Sequence, residues 1–309
     1  MADEKTTPNW IAAASASFVV IWATGFIVAR LSAPHVEPLT FLTVRFGIAG
    51  ILLAVLALSF KARWPTRSAT LHAVIAGSLL HGGYLGACYW AVAHGLPAGI
   101  AALIAGLQPI LTALFAGRLL GERITPRHWL GLAVALLGVA LVLAPKLSLT
   151  VVDGITPATV LAMAFGALSM TLGSIYQKRH VTNVDLLTGT AWQYAGAFVV
   201  VASGAALTEN FRFDATPDAW IALGWSVIVL SIGAILLLMA LLRHGDVSKV
   251  SALIFLVPAV AAVMAWLLFD ETLTLVQIAG MFVCALGVLL VTRAFPARME
   301  SSERDKKAR

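Results

Sequence analysis

Ten long apolar runs separated by short polar stretches occupy almost the whole of this chain. A hydrocarbon core about 30 Å thick takes roughly 20 mostly apolar residues per helical crossing. The runs at 9–31, 39–60, 70–94, 98–118, 126–144, 157–178, 184–208, 217–242, 248–269 and 274–294 therefore predict ten transmembrane helices. The connections between them, such as 145–156 and 209–216, are too short to hold a soluble domain. Composition agrees: 60% of the residues are hydrophobic and 12% charged, against roughly 45–50% and about 25% in soluble domains. The expected fold class is an all-α integral membrane protein. The polar start, residues 1–9, lacks the basic region and cleavage site of a signal peptide, so the first run is expected to stay in the mature protein.

The basic residues are sorted by side. Seventeen of the 21 Lys and Arg fall on the face that bears the N-terminus, among them Arg63, Arg118, Arg123, Lys178, Arg243 and the tail from Arg298 to Arg309. The opposite face has Arg30, Lys146 and Arg212, and Arg45 lies inside the second run. An odd number of crossings would mix these loops, so the asymmetry supports ten and places both termini of the multi-pass chain in the cytoplasm. It also accounts for the net charge of +6 without a nucleic-acid partner; the tail is expected to touch anionic lipid headgroups. Cys88 and Cys284 both fall within apolar runs, where a small hydrophobe is the ordinary reading and a disulfide framework is not.

A repeat divides the chain. Pro109, Glu122, Thr125, Gly131, Gly138 and Val139 follow the pattern P-x12-E-x-[IL]-T-x5-G-x6-G-V, and Pro258, Glu271, Thr274, Gly280, Gly287 and Val288 repeat it with identical spacing. Upstream, His94-Gly95 is echoed by His244-Gly245. The predicted organisation is two five-helix units, 1–150 and 151–309, the latter carrying the basic tail. Five crossings per unit force the second to enter from the other side, an inverted 5+5 repeat. Basic residues surround Glu122 and none surrounds Glu271, as expected of loops on opposite faces. Two such halves can trade conformations, which gives alternating access; a duplication without a transport role is the alternative.

The paired P-x12-E-x-[IL]-T-x5-G-x6-G-V segments resemble the EamA modules of the drug/metabolite transporter superfamily, over nearly the full chain. The resemblance implies a ten-helix carrier with helices 1–4 and 6–9 around a central cavity and helices 5 and 10 as peripheral support. Within the superfamily the chain looks most like bacterial amino-acid and metabolite exporters of the YddG type. The substrate expected is then a small amphipathic metabolite such as an aromatic or other hydrophobic amino acid, moved by an exporter or uniporter.

Ionisable groups deep in a bilayer are costly and are the first functional suspects. Arg45 lies about 9 Å from the outer end of its helix. It could take a substrate carboxylate as a fork, or be a structural arginine that snorkels outward. His81 shares a helical stripe with Tyr84 and Cys88, beside a smooth face of Gly82, Gly83, Gly86 and Ala87. That stripe is expected to face the cavity, a hydrogen-bonded core histidine being the plainer reading. Gln108 precedes Pro109, whose missing N–H frees a carbonyl nearby, so the amide either meets a ligand or satisfies the kink. Pro258 should kink its helix likewise near Phe255, and both prolines are candidate hinges. Trp22, Tyr84, Trp90, Trp192 and Tyr194 are deep aromatics suited either to a cavity wall or to plain packing. Thr24, Ser169 and Ser231 can add hydrogen bonds to a substrate or between helices.

No nucleophile with its base and no metal-ligand cluster is evident, so neither an enzyme nor a cofactor is expected; a passive pore would show flux without saturation. No Asp or Glu lies near the midplane, where an ion-coupled carrier usually keeps a carboxylate. Replacing sodium by potassium in proteoliposomes, with potential and pH clamped, is therefore expected to leave transport unchanged. Uptake that requires sodium would contradict this reading.

Overall fold

The computed structural model describes residues 9–96, 98–146, 155–269 and 273–292; Asp270, Glu271 and the tail from Arg298 lie outside them. Nine helices among the described residues are long and apolar enough to cross a membrane, and Ala13–Ala23 is a shorter apolar helix. In chain order they are α1, in two pieces, Asn9–Ala23 and Gly25–Ser32; α2, Pro38–Ser59; and α3, Arg67–Ala93. Next come α4, also in two pieces, Ala98–Ala105 and Gln108–Leu119; α5, Pro126–Leu143; α6, Pro157–His180; and α7, Leu186–Thr208. The last are α8, Pro217–His244; α9, Val247–Ala252 continuing through Leu253–Phe255 into Leu256–Phe269; and α10, Leu275–Thr292.

Helix starts follow local chemistry. Thr125, Thr156 and Thr216 each precede a proline and accept a hydrogen bond from the third N–H of the helix, at 3.2, 3.2 and 3.3 Å. A threonine hydroxyl satisfies a donor left over at the N-terminus, and proline loses nothing at the first helical position. Asp185 does the same for α7 through Leu187 N at 2.9 Å and Thr188 N at 3.2 Å.

Interior breaks also have causes. Pro109 has no N–H for the carbonyl of Ala105, and the first piece of α4 ends at Ala105. Pro258 withholds its bond from Ile254, which lies in the 3-10 turn Leu253–Phe255 of α9. In α1, both the amide and the hydroxyl of Thr24 donate to the Ile21 carbonyl, at 3.1 and 2.6 Å, and the helix restarts at Gly25. The sequence reading had α1 unbroken, and it missed π-helical segments at Ser78–Gly83 in α3 and Ser226–Ala234 in α8.

Small residues let the helices meet backbone to backbone, the usual way to gain packing where no hydrophobic effect drives association. The four motif glycines build the antiparallel crossing of α5 and α10. A Cβ on Gly138 would lie 2.3 Å from Cys284 N, and one on Gly287 would lie 2.3 Å from Ala135 N. Gly131 sits against Gly287 and Val291, and Gly280 against Gly138 and Val142. Each contact maps onto another by the 149-residue shift that relates Pro109 to Pro258. Elsewhere Gly77 and Gly196 admit α7 and α3 to one another, and Gly173 admits α3 to α6.

Carboxylates tie helix starts to loops of the other sequence half. Glu122 accepts from Val247 N at 2.7 Å, Ser248 N at 3.2 Å and Ser248 Oγ at 2.6 Å, at the head of α9. At the other face Glu209 accepts from Leu39 N and Thr40 N, both at 2.7 Å, and Thr40 Oγ1 at 2.8 Å, at the head of α2. Glu37 answers by accepting from Asn210 N at 3.0 Å and Arg212 N at 2.8 Å, and Val36 pairs with Phe213 in an antiparallel bridge.

Replacing Gly138 or Gly287 by leucine is expected to cost at least about 1–3 kcal/mol, because backbone rather than a movable side chain blocks the new atoms. The loss should be read as a lower Tm, or as loss of the monodisperse peak, in detergent; an unchanged Tm would contradict the crossing described.

Candidate functional site

Five helices bring polar side chains to one place in the interior. Arg45 of α2, 5% exposed, donates from Nε to Ser231 Oγ of α8 at 2.8 Å. Its guanidinium lies 5.7 Å from the centre of the Phe46 ring, a cation–π distance. Phe46 stacks on Tyr194 of α7 at 5.3 Å with an interplanar angle of 14°. The Tyr194 hydroxyl in turn donates to the Ser231 carbonyl at 2.5 Å. His81 of α3, 1% exposed, tilts against Tyr194 at 5.2 Å and Phe46 at 6.3 Å. Its Nε2 is 3.1 Å from Gln193 Oε1, and Gln193 Nε2 donates to Gln177 Oε1 of α6 at 2.9 Å. Tyr89 faces Arg45 and stacks on Phe41 at 6.4 Å.

The π-helical segments explain how α3 and α8 can serve such a site. A π turn carries one residue more than an α turn and displaces carbonyls from their usual partners, and such turns are frequent at functional sites. His81 lies in one and Ser231 in the other, where the Ser231 carbonyl is free to take the Tyr194 hydroxyl. The two residues are equivalent by sequence: each stands 13 positions before its His-Gly pair.

Arg45 gives the site its charge. The ion pairs among the described residues, Arg212–Asp214 at 2.8 Å and Lys249–Asp246 at 3.0 Å, do not involve it. A buried guanidinium surrounded by neutral groups is unfavourable until an anion joins it. Its arrangement can hold a carboxylate next to aromatic faces, with His81 close by.

Of the residues singled out from sequence, Arg45, His81, Tyr194 and Ser231 meet here, while others have different neighbours. Ser169 Oγ donates to the Leu79 carbonyl at 2.9 Å and serves as contact between α6 and α3. Trp192 packs with Tyr176 in a separate cluster around Ala73, Ala76, Val181 and Val184. Tyr84 and Cys88 follow the π segment on α3 and lie beside Tyr89. Gln108 Nε2 donates to Thr112 Oγ1 at 2.8 Å and to Ser251 Oγ at 3.4 Å, joining α4 to α9, while its Oε1 is buried without a partner among the described residues. Thr24 accepts from Trp225 Nε1 at 2.9 Å and Trp22 tilts against Phe18 at 5.1 Å, both on the α1 side. The Phe255 carbonyl accepts from Cys284 Sγ at 2.8 Å, and the ring is buried.

Phe46, Tyr89, Gln177 and Gln193 were missed. Gln177 and Gln193 were findable, because a glutamine inside an apolar run must find a partner there just as a charge must.

The EamA-like transporter family matches the sequence twice, over residues 9–144 and 157–293. Among similar proteins, the uncharacterized inner membrane transporter YedA of Escherichia coli K12 is 27% identical over 90% of each chain. The uncharacterized transporter YvbV of Bacillus subtilis strain 168 is 28% identical over 89% of each. A probable amino-acid metabolite efflux pump of Salmonella typhimurium LT2 is 26% identical over 91% of this chain and 94% of its own. One solved crystal structure has the same fold at a TM-score of 0.76 and 20% identity, covering 95% of this chain and 100% of the other.

Changing Tyr194 to Phe keeps the stack on Phe46 and removes the donor to the Ser231 carbonyl. The expected cost is about 1–2 kcal/mol with the fold retained, measured as a modest fall in Tm at normal yield; no change in Tm would mean the π turn finds another donor.

Proposed function

This chain belongs to the EamA-like transporter family, and from that membership we propose that it carries small amphipathic carboxylates across the bacterial inner membrane by alternating access. It is a multi-pass membrane transporter, not an enzyme. The observation that carries the carboxylate reading is Arg45, buried in the interior with no acidic partner among the described residues and bordered by Phe46, Tyr89 and Tyr194. Aromatic walls around one fixed charge suit aromatic or other hydrophobic amino acids, as in the YddG-type branch. Two relatives, from Salmonella typhimurium and Escherichia coli, are described as probable amino-acid metabolite efflux pumps, which favours export of such compounds.

The halves, 1–150 and 151–309, are related by inversion. The antiparallel crossing of α5 and α10, whose contacts exchange under the repeat shift, supports this, and so do the paired π turns of His81 and Ser231. Pro109 and Pro258, each just after an interruption, are the hinges, and Gln108 is a second polar contact for substrate near the first of them. Both termini face the cytoplasm, in keeping with the sorted basic residues.

Counterflow in proteoliposomes tests the reading. Internal unlabelled amino acid should drive saturable entry of labelled phenylalanine, and Arg45→Lys, which keeps the charge and loses the planar fork, should cut that entry at least tenfold at normal yield. Entry that never saturates would argue for a pore, and an Arg45→Lys protein as active as the original would remove arginine from the binding site.

A further inference from the structure

The chain of contacts behind His81 fixes which ring nitrogen bears the proton. Gln193 reaches three groups: its Nε2 lies 2.9 Å from Gln177 Oε1 and 3.6 Å from Met239 Sδ, and its Oε1 lies 3.1 Å from His81 Nε2. An amide side chain can be turned end for end, so the contacts must decide its orientation. A thioether sulfur has no proton to give. The end of Gln193 that faces Met239 is therefore its NH2, which also suits the Gln177 oxygen. The other end is the carbonyl, which only accepts, so His81 Nε2 must carry a hydrogen. In the neutral ring the second nitrogen, Nδ1, is then a lone pair, and it makes no hydrogen bond among the described residues.

His81 and Arg45 both lie against the Phe46–Tyr194 ring pair. One offers an acceptor and the other five N–H donors, of which the Nε–H is given to Ser231. We infer that Gln177, Gln193 and Met239 form a positioning relay that holds His81 as a hydrogen-bond acceptor for the ammonium group of a zwitterion whose carboxylate is taken by Arg45. This rests on the reading of Arg45 as the carboxylate site. The relay lies behind His81 and acts through it. A buried acceptor that loses its expected donor is left unpaired, so a compound with the carboxylate but no amine is rejected more strongly than its size alone would require.

The test compares two probes that differ only in the amine, phenylalanine and 3-phenylpropanoate, by initial rates of exchange in proteoliposomes of the full chain. The original protein should favour phenylalanine at least tenfold in kcat/KM. Gln193→Leu should bring that ratio close to one, chiefly through a higher KM for phenylalanine. Gln177→Leu frees Gln193 to turn over, should lower the ratio in the same direction, and serves if the first variant is poorly inserted. A purely structural role would slow both probes by one factor and leave the ratio intact, which overturns the relay. Equal use of the two probes by the original protein overturns the inference but leaves the carboxylate reading standing, whereas exchange of neither removes that reading itself.

Discussion

In hydrocarbon each backbone N–H and C=O must find its partner inside the protein, because no water is there to supply one. This requirement orders the rest of the structure. It makes the chain a bundle of helices, and it confines irregular backbone to places covered by other helices or lining the site. The π turn of α8 obeys it: the Ser231 carbonyl takes the Tyr194 hydroxyl. Polar side chains from regular stretches, Arg45 of α2 and Gln193 and Tyr194 of α7, meet the irregular turn of α8 or the π segment of α3 at the candidate site.

Duplication then makes these irregular turns come in pairs. His81 and Ser231 occupy equivalent positions of the two sequence repeats, in matching π turns, and have diverged into an imidazole and a hydroxyl. Identical residues would present the same chemistry twice, which suits a symmetric ligand. A site that must distinguish the two ends of one small molecule needs the repeats to differ at this point. The motif glycines show the opposite pressure. Gly131, Gly138, Gly280 and Gly287 remain identical across the repeats because a backbone contact at 2.3–2.9 Å from a would-be Cβ tolerates no side chain at all.

The spans were legible from hydropathy because a helix that crosses a bilayer needs length and apolarity, both local properties. The spans expected from 126, 157 and 217 begin where the helices start, at Pro126, Pro157 and Pro217. The motif glycines were visible as a pattern, but their reason lies in a partner helix about 150 residues away in sequence. Arg45, His81 and Ser231 were found because polarity inside an apolar run is costly wherever it occurs. What failed was the assumption of a regular 3.6-residue turn. The stripe of His81, Tyr84 and Cys88 assumes an uninterrupted α-helix, whereas a π segment runs from Ser78 to Gly83. For Trp192, depth gave no information about which neighbour α7 would turn it toward, and it packs against Ala73, Ala76, Val181 and Val184.

The two carboxylate contacts bear on how such a bundle can serve both faces. Glu122 and Glu209 each hold the head of a helix from the other half by two backbone N–H groups and one hydroxyl, one at each face. Both are engaged together here, and Arg45 and His81 are buried. A secondary transporter has to open one face without paying much more than for the other, since a large difference would leave one state almost empty. Contacts of the same kind and number at the two faces meet that condition. Each loses charge-assisted hydrogen bonds from a carboxylate at the rim, where water can replace them. The polar groups at the centre have no such replacement, so the energy that selects between open faces has to come from the rims, while the centre decides which molecule is carried.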